Sequence, residues 1–234
     1  YLIVSTLFWY TGMLPDLATV LDRATGTRKK VFHVLSLGWT GAHEQWRHYA
    51  RGYLFFAALA TPLVISVHSV VSWDFALGVV PGWHTTIFAP YFVAGAIHSG
   101  LAMVLTLMIP LRNIFRYESF ITLHVLESVA KTIVFTGLIV GFAYGTELFI
   151  AWYSHNIVEM ETFRWRIFGD YGREYWIMVV CNTLVPLLFL FKKIRTSISW
   201  LFGISLIINV GMWYERFVII IGSVAHDFLP YAWG

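Results

Sequence analysis

Residues 88–111, FAPYFVAGAIHSGLAMVLTLMIPL, contain no Asp, Glu, Lys or Arg. A bilayer core about 30 Å thick needs about 20 apolar residues in helical form, so this stretch predicts a membrane-spanning helix. Similar apolar runs recur along the chain, which is 58% hydrophobic and 12% charged, whereas soluble domains are about 25% charged. The predicted fold class is therefore all-α, a polytopic membrane helix bundle in a lipid bilayer.

The apolar runs predict about six transmembrane helices. They cover residues 1–21, 53–72, 88–111, 119–152, 175–191 and 198–224. The first run is already under way at the opening residues YLIV. We therefore expect the chain to be the C-terminal part of a longer subunit.

Lys and Arg collect on one side of the predicted helices. Residues 23–51, 112–116 and 192–195 are basic, whereas residues 73–86 contain no Lys or Arg. The positive-inside rule places the basic stretches in the cytoplasm. The net charge of +3 thus reflects orientation in a membrane and predicts no nucleic-acid partner. One stretch on the opposite side mixes both signs: Glu159, Glu161, Arg164, Arg166, Asp170 and Arg173.

The segment between the first two predicted helices has a mixed character. Residues 30–50 combine aliphatic and aromatic residues with His33, His43 and His48. This mixture predicts either a helix lying in the cytoplasmic interface or an ordered loop with aromatic anchors, and the sequence leaves both open.

Two ionisable residues close the second predicted helix, in the outer half of the membrane. His68 precedes Asp74 by six residues, about 9 Å along a helix. Trp73 and Phe75 flank Asp74, so we expect a poorly solvated carboxylate, which takes up a proton more readily. Asp74 is thus a candidate proton acceptor with His68 as an orienting or relay group, unless Asp74 only caps a turn.

The fourth predicted helix carries titratable residues along one face. His124, Glu127 and Lys131 are spaced by three and four residues, which brings them to one side of a helix. Such steps suit a proton relay, although Glu127 and Lys131 alternatively neutralise each other against a neighbouring helix. Glu147, near the outer end of this helix, would continue a proton path.

Other ionisable residues lie on the third and sixth predicted helices. His98 sits among small residues in the middle of its helix and is either a packed, hydrogen-bonded histidine or a relay member. Glu215 and Arg216 are adjacent, so they face different directions and should find separate partners. Arg216 is a candidate counter-charge for an outer-half carboxylate.

The nine histidines and the single cysteine do not predict a metal or haem site. A haem b needs a facing pair of axial ligands, whereas His68, His98 and His124 lie on three helices at three depths. Cys181 alone forms neither a disulfide nor a cysteine cluster. We therefore expect no haem, no iron–sulfur cluster and no bound metal in this chain.

Three stretches carry a family resemblance. They are residues 8–19, FWYTGMLPDLAT, residues 68–76, HSVVSWDFA, and residues 81–96, PGWHTTIFAPYFVAGA. Together they resemble the NrfD-like, or polysulfide-reductase membrane-subunit, family. Within that family the chain is most similar to the large quinol-oxidising membrane subunit of bacterial alternative complex III.

The resemblance implies about ten helices arranged as two four-helix bundles with flanking helices. Residues 1–22 would then be the last helix of a first bundle, residues 23–52 a cytoplasmic interfacial connection, and residues 53–234 the second bundle. Asp74, in the matching Trp-Asp-Phe motif, would be a quinol-site residue, and the rest of the pocket would lie upstream. His68, Trp73 and Arg216 are the other candidate binding residues.

Function and partners follow from the resemblance as expectations. The subunit would oxidise quinol, with menaquinone expected, at the outer side of a bacterial inner membrane. Its partners would be an iron–sulfur subunit, haem c subunits and a homologous membrane subunit. Two alternatives remain: a quinone-reactive anchor for a molybdopterin enzyme, and a structural or proton-conducting membrane subunit without its own quinone site.

Overall fold

The computed structural model describes residues 1–83 and 87–225, and within them every regular element is helical. Five helices in this part of the chain are long and apolar enough to cross a membrane. They are His43–Ala76, Phe88–Ile114, Leu123–Tyr153, Gly172–Leu190 and Ile198–Gly222. This confirms the predicted all-α, polytopic architecture. Residues 84–86 of the predicted outer loop and the tail 231–234 lie outside the described residues.

The chain divides into two compact units, Tyr1–Val67 and His68–Gly234. The first unit contains α1 (Leu2–Arg23), α2 (Gly26–Leu35) and most of α3 (His43–Ala76). The Tyr10 hydroxyl donates to the Leu35 carbonyl over 2.6 Å and so joins α1 to the end of α2. The predicted first helix is therefore formed, but α1 is not among the five membrane-length apolar helices.

The segment 30–50 contains both helix and ordered loop, while its predicted position in the cytoplasmic interface stays a prediction. Its first part belongs to α2, and the turn that follows contains Gly38 and Gly41 at φ 71° and 75°, a region that glycine enters without a steric penalty. The next helix, α3, then begins at His43, ten residues before the predicted start at residue 53. The sequence predicts the basic residues 43–52 as part of the connection. They form the first turns of α3 instead, and Trp46 and Tyr49 of these turns pack against Trp39.

Four long helices of the second unit run antiparallel around one apolar core. They are α4 (Phe88–Ile114), α5 (Leu123–Tyr153), α7, which starts at Gly172, and α9 (Ile198–Phe217). Fully buried side chains such as Leu105, Ile133 and Ile208 fill the middle. We call one end of this bundle the Asp74 end, where α3 finishes, and the other the Glu127 end. The fourth predicted helix begins at Leu123 instead of residue 119, because residues 118–120 form a turn.

Irregular turns interrupt α7 and α9. The α-helical part of α7, Gly172–Val179, continues as a π-helical turn, Val180–Leu184, and a 3-10 segment, Val185–Leu190. Pro186 lies at the start of that segment, where it has no N–H to donate to a regular helical bond. A second π-helical turn, Val218–Gly222, ends α9. Single π turns are frequent at functional sites.

Two shorter helices lie between the long ones. Asn156 begins α6 (Ile157–Phe168), because its side-chain oxygen accepts hydrogen bonds from the amides of Val158 and Glu159. This arrangement is an N-cap, which satisfies amides that have no partner within the helix. The apolar runs did not predict α6. The other short helix, α8 (Lys192–Arg195), connects α7 to α9 at the Glu127 end.

Candidate functional site

The last turns of α3 carry the first candidate residues. Ser72 is fully buried, and the ring of Phe75 lies 4.8 Å from that of Trp83 and 5.7 Å from that of Phe92. Asp74 is exposed, Trp73 is 54% exposed, and His68, nearer the middle of the helix, is half-buried. The sequence predicts that Trp73 and Phe75 shield the Asp74 carboxylate from water. Since Phe75 faces the bundle, these two neighbours do not supply that shielding within this chain. The carboxylate is open at the Asp74 end.

The turn that follows α3 is fixed by side chains from elsewhere in the bundle. The Gly82 amide donates to Glu159 Oε2 over 3.0 Å, and Arg166 donates to the Gly82 carbonyl over 3.4 Å. The Trp83 indole N–H donates to the Ile219 carbonyl over 2.8 Å. Gly82 has φ +82°, and a Cβ there would lie 2.7 Å from Arg166 Nη2. Both backbone conformation and space therefore disfavour a side chain at this position.

Arg166 is a buried arginine in α6. Its side chain is 4% exposed, donates to Ser223 Oγ and lies 4.9 Å from the centre of the Phe163 ring. Burial lowers the pKa of the Arg166 guanidinium from its ordinary value, and the nearby charge of Glu147 opposes that shift. The guanidinium nevertheless stays charged, because arginine does not lose its proton in proteins.

A buried carboxylate occupies the interior of the bundle. Glu215 in α9 is 3% exposed, and its Oε2 accepts a 2.5 Å hydrogen bond from the Tyr144 hydroxyl. Asn182 Nδ2 donates to the Tyr144 oxygen over 3.0 Å and to the same Glu215 oxygen over 3.4 Å. Arg216 is exposed, with its guanidinium 5.8 Å from the Phe92 ring centre. The predicted separation of Glu215 and Arg216 is confirmed.

A cavity of about 220 Å³ lies at the Asp74 end, between α5 and α6. Two carboxylates line it, Glu147 of α5 and Glu159 of α6. One oxygen of Glu147 is buried and has no hydrogen-bond partner among the described residues. The other lining residues of the cavity are Gly82, Ile150, Ala151, Ser154, Asn156 and Phe163.

The Glu127 end holds a cluster of ion pairs. Glu127 Oε1 lies 3.1 Å from Lys131 Nζ and 2.9 Å from Arg195 Nε. The mutual neutralisation of Glu127 and Lys131 that the sequence allowed is thus present, with Arg195 of α8 as a third member. His124, one turn earlier, is exposed. The structure brings Glu127, Lys131 and Arg195 together, while the part of His124, Glu127 and Lys131 in a relay stays a prediction.

His98 lies in the core between the two ends. It is fully buried, and its Nδ1 is 2.9 Å from the Thr136 hydroxyl. Its Nε2 has no hydrogen-bond partner among the described residues. His98 is therefore packed and hydrogen-bonded, as one of the two predictions had it, while its part in a relay stays a prediction.

Several residues of these clusters were not predicted as site residues. In the sequence, Arg166 and Glu159 stand out only as members of the stretch of mixed charge. That stretch is an exception to the Lys and Arg pattern, which is a signal that could have marked them as candidates. Asn182 is a polar residue within an apolar run, which marks it as a candidate in a membrane helix. Nothing in the sequence singles out Tyr144, because its carboxylate partner lies 71 residues away.

The chain matches the family described as polysulphide reductase, NrfD, over residues 3–226. The protein belongs to this NrfD family. The match confirms the resemblance at the level of the family. Together with the five membrane-length helices, it makes this NrfD chain a multi-pass membrane protein.

A named relative is a putative dimethyl sulfoxide reductase membrane subunit of Halobacterium salinarum (strain ATCC 700922 / JCM 11081 / NRC-1). The two are 36% identical over 105 residues. The aligned segment covers 43% of this chain and 21% of the relative, so the chain spans about a fifth of that protein's length.

Proposed function

We propose that this NrfD chain belongs to the membrane subunit of a quinol oxidoreductase and that Asp74 accepts a proton from the quinol. The observation that carries the proposal is the position of Asp74 within its motif. Its carboxylate is exposed at the end of a membrane-length helix, while Phe75 anchors that helix to the bundle. A base must come within hydrogen-bond reach of the hydroxyl that it deprotonates, and an open carboxylate at this end allows that approach.

In this mechanism the chain supplies proton chemistry and positioning. A quinol that loses two protons and two electrons becomes a quinone, and the electrons pass to an iron–sulfur partner. Asp74 takes up a hydroxyl proton, while His68 orients or relays, about two turns before it on the same helix. Trp73, the residue before Asp74, presents a half-exposed indole, which suits contact with the apolar ring of a quinol, menaquinol being the one we expect.

Arg216 is the candidate counter-charge at the Asp74 end of the bundle. Arg216 lies over Phe92, and Phe92 contacts Phe75, the residue next to Asp74. The guanidinium therefore belongs to the same end as Asp74. We assign Arg216 to binding and not to proton transfer, because arginine remains protonated.

A path for protons through the bundle forms the second part of the proposal. His124, Glu127 and Lys131 lie at the Glu127 end, His98 in the core and Glu147 at the cavity of the Asp74 end. Intramembrane ionisable residues are expensive and usually functional. Both cations of this cluster contact Glu127 Oε1.

Two sets of partners are compatible with this chemistry. In an assembly like alternative complex III, the partners would be an iron–sulfur subunit, haem c subunits and a homologous membrane subunit in a bacterial inner membrane. The name of the Halobacterium relative favours the second candidate, a membrane subunit of a reductase complex, which we take as a quinone-reactive anchor for a molybdopterin enzyme. Purification of the native complex separates them, because haem c absorption supports the first and bound molybdenum the second.

The test of Asp74 is its replacement by asparagine in the intact complex. Asp74→Asn keeps the shape of the side chain but cannot take a proton. We expect quinol oxidation to fall about 100-fold or more, the scale of losing a general base, with assembly unchanged. His68→Ala should cost less, because water can replace a relay member.

The matched control is Asp170→Asn, which removes the same charge from an exposed residue in the turn between α6 and α7. It should leave quinol turnover at the wild-type rate. Normal turnover of Asp74→Asn across the working pH range would refute the assignment of Asp74 as the base.

A further inference from the structure

Glu215 is a carboxylate inside a membrane bundle whose hydrogen-bond donors carry no charge. Its Oε2 accepts from the Tyr144 hydroxyl and the Asn182 amide, at 2.5 Å and 3.4 Å. A lone ionised carboxylate in an apolar interior is strongly disfavoured and is relieved by taking up a proton. The arrangement therefore supports a side chain that can exist in both protonation states.

The groups that surround Glu215 come from all four long helices. Tyr91 of α4 interacts with both Glu215 and Tyr144, and Asn182 is the contribution of α7. On α5, Glu147 lies close enough for its charge to interact with that of Glu215. On α9 itself, Arg216 is next in sequence and attracts the carboxylate without a hydrogen bond, since it is directed over Phe92.

Two irregular backbone segments flank this cluster. Asn182 lies in the π-helical turn Val180–Leu184, and the second π-helical turn begins at Val218, three residues after Glu215. A Cβ at Gly211 would collide with Asn182 Oδ1. A glycine there lets α7 and α9 approach closely and keeps the amide directed at Tyr144, as small residues do between membrane helices.

A route outward begins at Glu147. This residue lines the 220 Å³ cavity at the Asp74 end, a volume that accommodates several water molecules. One of its oxygens is buried without a hydrogen-bond partner among the described residues. Glu147 therefore stands between the buried cluster and a cavity that a second carboxylate, Glu159, also lines.

We propose that Glu215, held by Tyr144 and Asn182, is a proton-binding site in the bundle interior that exchanges protons with the cavity at Glu147. The step is a proton transfer alone: the Glu215 carboxylic acid gives its proton to the Glu147 carboxylate, and the reverse transfer reloads it. No electron moves in this step. The inference extends the proton path of the proposed function, on which its Glu147 step rests, and it does not require the quinol chemistry at Asp74.

The test is a difference infrared spectrum of the purified complex between two pH values, recorded in H₂O and in D₂O. We expect a carbonyl-stretch band of a buried carboxylic acid that shifts on deuteration. Glu215→Gln, which keeps the hydrogen-bonding shape, should remove this band. The exposed control Glu118→Gln should leave it unchanged, and Glu147→Gln should slow its exchange with D₂O without removing it.

If the Glu215→Gln complex does not assemble, Tyr144→Phe provides a second test, because it leaves the Glu215 side chain in place. Loss of the hydroxyl donor should shift the frequency of the band, because the acid loses its strongest hydrogen bond. The proposal is overturned if the band persists in Glu215→Gln, if Tyr144→Phe leaves its frequency unchanged, or if the wild-type complex shows no such band. Since the spectrum needs no quinol, these results are independent of the Asp74 experiment.

Discussion

Replacement of Gly82 by alanine tests how firmly the turn after α3 is held. The left-handed φ of +82° at Gly82 costs an alanine about 1–2 kcal/mol. The new Cβ would stand 2.7 Å from Arg166 Nη2 and 3.0 Å from Thr162 Cγ2. Arg166 has little room to yield, because it is buried, bonded to Ser223 and stacked on Phe163.

Displacement of Arg166 removes hydrogen bonds from a charged donor, worth about 1.5–3 kcal/mol. With the backbone cost, Gly82→Ala should lower the free energy of unfolding by about 2.5–5 kcal/mol. The assay is unfolding of the purified protein in mixed micelles by SDS titration, followed by tryptophan fluorescence. We expect the midpoint to move to a clearly lower SDS fraction.

The control for this experiment is Gly145→Ala. Gly145 lies within α5, is exposed, and has no atom within 4 Å of a Cβ placed on it. In a helix interior this change stabilises by up to about 1 kcal/mol, so the midpoint should stay or rise. Equal midpoints for Gly82→Ala and the wild type would show that neither the turn nor Arg166 is held as described.

Two further predictions concern topology and the Glu127 end. A cysteine introduced at Thr25 should resist a membrane-impermeant thiol reagent in intact cells and react after permeabilisation, because the basic stretch 23–51 is predicted to be cytoplasmic. Labelling from outside would show that the predicted topology is inverted. Glu127→Gln should release Lys131 and Arg195 and reduce proton uptake during turnover, measured with a pH-sensitive dye in proteoliposomes; unchanged uptake and turnover would remove Glu127 from the relay.

The apolar runs predict the membrane helices because the bilayer imposes a length and excludes charge. The bilayer does not constrain where helices outside it begin and end. The polar first turns of α3 and the whole of α6 look like loops in sequence, yet aromatic contacts at Trp46 and the Asn156 cap make them helical.

Candidate residues were predictable where their chemistry is visible locally. The spacing of Glu127 and Lys131 indicates an ion pair, and the structure contains it. The partners of Glu215 were not predictable, because Tyr144 and Asn182 are 71 and 33 residues away and meet it only through helix packing. The burial of Arg166 likewise depends on Gly82 and Ser223, at 84 and 57 residues' separation.

The most direct test of the proposed function is a density map of the intact native complex with quinone or a quinone analogue bound. We predict a head group at the Asp74 end, with one ring oxygen about 2.6–3.2 Å from the Asp74 carboxylate, directly or through one water. A head group bound elsewhere, with Asp74 in contact with lipid or with another subunit only, would contradict the proposal that Asp74 takes the quinol proton.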